Sequence, residues 1–375
     1  MPNFMADAAD AVQLSVCIPV FNFGAFLGET LDSILPQVVP GIEIVVVDGA
    51  STDDTPQIVA SRMERCTQLR YVRLDRRGGI DADIALSIEH AAGEYCWLFS
   101  GDDIMRPHGL ERALGWLSSG HDVLLCRHSN CDKAMRRLED HPVLSIHQVL
   151  SVDLADADQR CRYLSLAVNT EAVFSFMGSL VIRREAWRSV PPADQFMGSC
   201  WGHAARLLSV ARHSLKVCYV DEIWLDKRGD NDSFLDRGLV NRLKLAVDGY
   251  LRIGAHYFGA DSWEVAQLRR FLRNELGLRT FIKGLHVTRV NPAQESRAEL
   301  DRLMLLLYQE RGFRFALARS IYRNFPLSMY PILQIVYSAL KKNRVARSIY
   351  RNLPLFVSLL RKPSRVKARQ QAGGD

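Results

Sequence analysis

The chain has 375 residues, 48% of them hydrophobic and 24% charged, with a formal net charge of +6. That much apolar material builds a core, which excludes disorder throughout. At about 100–200 residues per domain, the length suggests two domains or one large domain with an appendage. The charge is uneven: Arg311 to Asp375 holds 14 Lys and Arg against one acid, a net +13, which leaves −7 on the first 310 residues. An acidic body with a basic tail is not a uniformly basic nucleic-acid binder. The tail asks for an anionic partner: lipid headgroups, nucleic acid or an acidic protein. The opening MPNFMADAADAVQ lacks the basic and apolar regions of a secretory signal, and no uncharged apolar run reaches 18 residues. The eight cysteines form no C-x-x-C pair and read as reduced thiols of a cytosolic protein.

In chain order, LSVCIPV (14–20) predicts a buried strand and GAFLGETLDSIL (24–35) a helix ending before Pro36. IEIVVVD (42–48) is a second buried strand. STDDTPQIVASRMERC (51–66) opens with cap residues and acids, as a helix should. LRYVRL (69–74) is a third strand, 80–92 a helix, and YCWLF (95–99) a fourth strand. A helix near 107–118 begins at Pro107, and DVLLC (122–126) is a fifth strand. Strands alternating with helices at this spacing predict an α/β fold, a mainly parallel twisted sheet with helices on both faces.

The chain from 128 to about 175 is less regular. FMGSLVIRREAW (176–187) predicts a strand running into a short helix, VCYVDEIWL (217–225) a last strand, and 238–310 helices. Three regions are expected: a first domain over 1–235, a helical extension over 236–310, and a basic tail over 311–375. The tail repeats itself, ARSIYRNFPL (318–327) recurring as ARSIYRNLPL (346–355), and NFPLSMYPILQIVYSAL (324–340) carries no charge. Proline breaks that stretch, which suits a segment lying in a membrane interface with Arg and Lys near headgroups. The plainer alternative is a helical hairpin packed on the main domain.

In open α/β sheets ligands bind beyond the carboxyl ends of the strands. That singles out Pro19, Val20, Phe21 and Asn22 after the first strand, Asp48 after the second, and Ser100, Gly101, Asp102 and Asp103 after the fourth. Adjacent carboxylates repel and need a cation or a shared proton, and a divalent ion binds one or two carboxylates together with substrate phosphates. The alternative for Asp102 and Asp103 is a turn and helix cap. Asp48 either accepts a hydrogen bond from a base or ribose or caps the following helix. In RRGGIDADIA (76–85) two glycines precede a helix start, where phosphate is attracted, while Asp81 sits in a first turn that favours an acid anyway.

Taken together, strand-P-V-F-N, VVVDGASTDDT, GGIDADIALSIEHAAGEYCWLFSGDD and MGSLVIRREAW resemble the family 2 glycosyltransferases of GT-A fold, and most of all their abequosyltransferase-like group. RGDNDSFLDRG (228–238) is similar to a segment of that group. The resemblance covers roughly 13–240 and excludes the tail. It implies single-displacement, inverting transfer of a sugar from a nucleoside diphosphate sugar to a hydroxyl of a glycan or lipid-linked oligosaccharide in surface polysaccharide biosynthesis. Implied roles are Asp48 on the nucleobase, Mg²⁺ or Mn²⁺ on Asp102 with Asp103 beside it, and Asp81 among the nucleotide contacts. The motif departs from D-x-D, its first Asp being Ser100, and a non-catalytic sugar-nucleotide or glycan-binding relative is the alternative. The family's E-D pair is also missing. In DQFMGSCWGHAARLL the titratable groups are Asp194 and His203, so the catalytic base falls to His203, then Asp194. Arg228 could add positive charge at the diphosphate, or be a surface arginine. With the basic tail 311–375 on an anionic membrane and no nucleic-acid partner, the expected location is the cytoplasmic face of the inner membrane. A sugar-1-phosphate nucleotidyltransferase would carry Lys or Arg in the loop after the first strand, and FNFGAF has neither.

Overall fold

The computed structural model describes residues 12–332 and 334. They fall into two compact units: residues 12–236 with 244–271, and residues 237–243 with those from 272 onward.

The first unit opens with β1 (Leu14–Val20), α1 (Gly24–Ile34), β2 (Ile42–Asp48), α2 (Thr55–Met63), β3 (Leu69–Arg73), α3 (Ile80–Glu89) and β4 (Tyr95–Leu98). A short β5 (Ile104–Met105), α4 (Gly109–Leu117), β6 (Val123–Cys131), β7 (Arg137–Asp140), β8 (Leu150–Asp153) and α5 (Ala157–Leu166) follow. The unit continues through β9 (Leu180–Arg183), α6 (Arg184–Arg188), α7 (Gly202–Val210) and β10 (Lys216–Lys227). The strand order is β3-β2-β1-β4-β9-β6-β10-β5, with β7 on β6 and β8 on β10. The first four strands are mutually parallel. Strand β9 runs antiparallel between β4 and β6, which restores the original direction in β6 and its parallel neighbour β10. The carboxyl ends of β1, β2, β4, β6 and β10 therefore share one edge.

Every residue of β1 and β2 is buried, as continuous apolar runs require when both sheet faces are covered. Leu14, Val16, Ile18 and Val20 pack with Leu27 and Leu31 of α1, Val59 of α2 and Leu110 of α4. On the opposite face the Cys17 thiol donates to the Ser87 carbonyl of α3.

Helix α2 begins at Thr55, four residues later than the sequence predicts, because the loop after β2 is tied to the loop after β1. Asn22 N–H donates to Ser51 Oγ, Asn22 Oδ1 accepts from Thr52 N–H, and Asp53 accepts from Gly24 N–H. Strand β6 extends to Cys131 although polar residues begin at Arg127, since Ser129 and Asn130 pair with Asp226 and Lys227 of β10. The segment expected to be irregular contains β7, β8 and α5.

Helices α8 (Leu239–Phe258) and α9 (Trp263–Val290) cross the division between the units; α10 (Arg297–Leu307) and α11 (Phe313–Asn324) belong to the second. Its core includes Phe281, Leu300, Leu303, Leu307 and Tyr322. Glu295 caps the start of α8 by accepting from the N–H groups of Leu239 and Val240. The first copy of the tail repeat lies partly in α11, where Ala318 and Tyr322 are buried. The second copy, and the stretch proposed for a membrane interface from 335 onward, lie outside the described residues. Among the described residues no helix is long and apolar enough to cross a membrane.

Candidate active site

Val20 and Asp48 are register partners, so the loops leaving β1 and β2 begin side by side. Pro19 and Val20 are buried strand residues, Phe21 is half-buried and Asn22 exposed. Asn22 has φ 58°, a left-handed conformation that its short polar side chain tolerates. The exposed Arg77 guanidinium stacks over the Phe21 ring, 4.0 Å from its centroid.

Asp48 is fully buried. Its Oδ1 accepts from Ser51 N–H at 2.8 Å, its Oδ2 accepts from the Tyr71 hydroxyl, and Arg73 Nη1 lies 3.8 Å from Oδ2. The negative charge raises the Tyr71 phenol, in addition to the effect of burial. A second carboxylate, Asp83, lies beside it. The Cβ that Gly49 lacks would fall 2.8 Å from Asp83 Oδ2, so glycine makes the approach possible. Burial pushes Asp83 up to about 6, with the Asp48 charge adding to the rise and Arg77 opposing it. Asp83 Oδ1 is buried without a hydrogen-bond partner. The sequence reading missed Asp83, two residues beyond Asp81, where the helix start explained one acid but not two.

After β4, Ser100 Oγ donates to Asp102 Oδ1 at 2.5 Å, and Asn231 Nδ2 donates to Asp102 Oδ2 at 2.7 Å. Gly101 sits under these groups: a Cβ there would lie 2.8 Å from Val20 Cγ1 and 2.9 Å from the Phe23 ring. Asp103 is 2% exposed; its Oδ1 accepts from Arg228 N–H at 2.9 Å and its Oδ2 has no partner. Burial and the neighbouring Asp102 hold Asp103 well above the usual carboxylate range, against the Arg228 amide and the charges of Lys227 and Arg228. Two adjacent carboxylates, one with an orphaned buried oxygen, fit a divalent cation, which would relieve both the crowding and the missing contact.

Arg228 is no surface arginine. It is 7% exposed; Nε donates to the Asp102 carbonyl at 2.8 Å, Nη1 to the Lys133 carbonyl at 2.7 Å, and Nη2 pairs with Glu29 at 2.6 Å. It holds the acidic turn in place, with each of its three nitrogens engaged in a hydrogen bond.

Two expected site residues go elsewhere. Asp81 is displaced from the nucleotide group because Oδ2 accepts from Cys200 N–H at 2.9 Å and Oδ1 from Gly202 N–H at 2.8 Å, closing the N-terminus of α7. His203, the expected base, is 4% exposed. Its Nε2–H donates to the Phe174 carbonyl at 2.9 Å and its Nδ1 is enclosed without a partner. Burial lowers its basicity against the Asp81 charge and the Phe174 contact. Asp194 is exposed, and its charge acts on Arg206.

A further cluster stands at the exits of β6 and β10. His128, His141 and Glu171 bring their ligand atoms within 4.8 Å of one another. Glu171 follows Asn169 in AVNTEAVF, and an acid inside such an apolar run is the signal that was available for it.

A mixed sheet whose first four strands are parallel, with acidic residues gathered at the exits of β2 and β4, defines a GT-A nucleotide-sugar transferase fold. Residues 15–177 match the model of glycosyl transferase family 2; the protein is a glycosyltransferase with a family 2 domain. It is similar to abequosyltransferase RfbV of Salmonella typhimurium, 29% identical over 70% of this chain and 79% of that protein. It is also similar to glycosyltransferase GlyG of Streptococcus pneumoniae, 30% identical over 32% of this chain and 40% of that one. The structure of S. aureus TarS 1–349 in complex with UDP-GlcNAc superposes with a TM-score of 0.58 at 17% identity, over 85% of this chain and 91% of TarS 1–349, a likeness of fold.

Proposed function

We propose that the protein transfers a sugar, with inversion, from a nucleoside diphosphate sugar to a hydroxyl of a glycan or lipid-linked oligosaccharide in surface polysaccharide assembly. The observation that carries this reading is the buried Asp102–Asp103 pair at the carboxyl end of β4, with Asp103 Oδ2 unpaired. The similarity to an abequosyltransferase and to a protein solved with UDP-GlcNAc supports the same substrate class.

Asp83, whose Oδ1 is unpaired beside Asp48, would accept a hydrogen bond from a nucleobase or ribose, and the Arg77–Phe21 stack lies at the same strand exits. Asp102, with Asp103 behind it, would hold Mg²⁺ or Mn²⁺. Such an ion supplies positive charge against the departing diphosphate. Ser100 and Asn231 orient the Asp102 carboxylate, and Arg228 fixes the backbone beneath it.

The basic tail fits an anionic membrane surface, which would bring the enzyme to a lipid-linked acceptor on the cytoplasmic face of the inner membrane. Tail truncation should begin at 335, because Phe315, Ala318 and Tyr322 are core residues of the second unit.

The test is transfer from a panel of nucleotide sugars with Mn²⁺ present or withheld. Asp102→Asn should lower turnover at least about 100-fold, as removal of a transition-state charge stabiliser does, without changing the melting temperature. Wild-type turnover in that variant would refute the assignment.

A further inference from the structure

His128 is completely buried and Glu171 is 5% exposed. His128 Nδ1 stands 3.5 Å from Glu171 Oε2, and His141 Nε2 stands 3.3 Å from Oε1. Two histidines and a carboxylate suggest a metal site, but the hydrogen-bond network argues against one.

Asn169 fixes the pattern. Its Oδ1 accepts from Glu171 N–H at 3.1 Å, so its Nδ2 is the donor to the Pro142 carbonyl at 2.8 Å and to His141 Nε2 at 2.7 Å. His141 Nε2 is therefore an acceptor, and the ring proton sits on Nδ1. That Nδ1 is 3.1 Å from Asn130 Nδ2, which would set donor against donor, so the Asn130 amide is turned to bring its oxygen to His141. The other end of the same amide, 3.2 Å from His128 Nε2, is then the NH₂. His128 accepts at Nε2 and carries its proton on Nδ1, pointing at Glu171 Oε2. Both imidazoles then carry their proton on Nδ1, and His128 Nδ1, the atom facing Glu171, has no lone pair to offer a cation while these contacts stand. His128 Nδ1 and Glu171 Oε2 face each other at 3.5 Å, and neither has a hydrogen-bond partner, so the cluster sets an imidazole N–H towards a buried carboxylate without closing the bond.

Its place in the sheet matters. Strands β6 and β10 run parallel to β4, and their ends share its edge. Lys227 Nζ is 4.0 Å from Glu171 Oε1, and the next residue, Arg228, donates its N–H to Asp103. Strand β6 lies two places from β4, about 10 Å at ordinary strand spacing. Glu171 is thus linked to the acidic turn through Lys227 and the neighbouring Arg228.

We propose that Glu171, held at its N–H by Asn169 and flanked by His128, His141 and Lys227, is the base that takes the proton of the acceptor hydroxyl. The inference rests on the transferase reading above. As the acceptor oxygen bonds to the anomeric carbon, its proton passes to Glu171 Oε1. The bond from that carbon to the diphosphate oxygen breaks, and its electron pair leaves with the nucleoside diphosphate. The proton is then lost to solvent on the side of His141 and Lys227, which are 24% and 38% exposed. The charged or titratable groups facing Glu171 are His128 and Cys126 on β6, His141 after β7, and Lys227 on β10. Burial pushes Glu171 up to about 7 against the Lys227 charge. Burial, with Lys227 and His141, keeps His128 neutral.

Three measurements on the full chain test this. Infrared difference titration should show a carboxyl that ionises as pH passes about 7 and is missing in Glu171→Gln. In transfer assays Glu171→Gln should lose about 100-fold or more in kcat, typical for loss of a general base, and lose the rising limb of the pH profile. Its affinity for UDP or GDP with Mn²⁺ should stay at the wild-type value. His141→Gln, at a partly exposed position, should fold and shift the pH limb. Full turnover of Glu171→Gln overturns the proposal, as does stoichiometric Zn²⁺ binding by wild type that His128→Ala abolishes. Should wild type bind no nucleotide and transfer no sugar, the transferase reading fails and the base assignment with it. The infrared titration would still decide whether the cluster holds a proton.

Discussion

Single side chains at the carboxyl edge do different work from what their sequence positions suggest. Asp48 and Asp103 are both enclosed carboxylates at strand ends, yet Asp48 has a phenol, an amide and a guanidinium around it, while Asp103 has one oxygen with nothing to meet. Asp48→Asn keeps the shape and removes the charge; nucleoside diphosphate affinity should fall by about tenfold, near 1.4 kcal/mol, in a calorimetric titration. Gly101→Ala should destabilise the fold by about 1–3 kcal/mol, read by denaturant unfolding, since its methyl group would press on Val20 and Phe23. A wild-type unfolding midpoint would mean that the turn yields more readily than its packing implies.

Elements were legible where periodicity and burial agree. β1 and β2 are apolar without interruption and fall where their sequences predict, because a strand covered on both faces needs no alternation. The start of α2 and the end of β6 were not legible, because long-range hydrogen bonds set them: Asn22 to Ser51 and Thr52 at one, pairing with β10 at the other. The same holds for the site. Asp48 and the Asp102–Asp103 pair follow apolar strands and could be found by eye. The roles of Asp81, Arg228 and His203 depend on partners 29 to 199 residues away, which no local pattern encodes. Asp81→Ala removes the acceptor for two amides at the start of α7 and should cost about 1–2 kcal/mol of stability, as lost caps do. Arg228→Met should cost more, about 2–4 kcal/mol, because it leaves the Asp102 and Lys133 carbonyls without their donor and uncouples the acidic turn from its support.

For the molecule as a whole, pH should act on stability through its raised carboxyl groups. Glu171 binds its proton more tightly in the folded state than in the unfolded chain, so this contribution is full below the ordinary glutamate range and is lost as pH rises through about 7. Glu171→Gln lacks that dependence. The melting temperature of wild type relative to the variant should fall by roughly 3–8 °C between pH 4.5 and 8. A constant difference would show that Glu171 ionises normally. Charge is also segregated along the chain, −7 on the first 310 residues against +13 on the last 65. Removing 335–375 should release the protein from anionic vesicles without altering turnover on a soluble acceptor. Unchanged sedimentation with vesicles would assign that binding to another surface.

The claim on which the rest depends is that the carboxylates after β4 hold a nucleoside diphosphate through a divalent ion. Calorimetric titration of UDP and GDP into wild type and Asp102→Asn, each with and without Mn²⁺, tests it most directly. The account predicts binding of one nucleotide to wild type that requires Mn²⁺ and is lost in the variant. Equal binding without metal, or unchanged binding in Asp102→Asn, would contradict it.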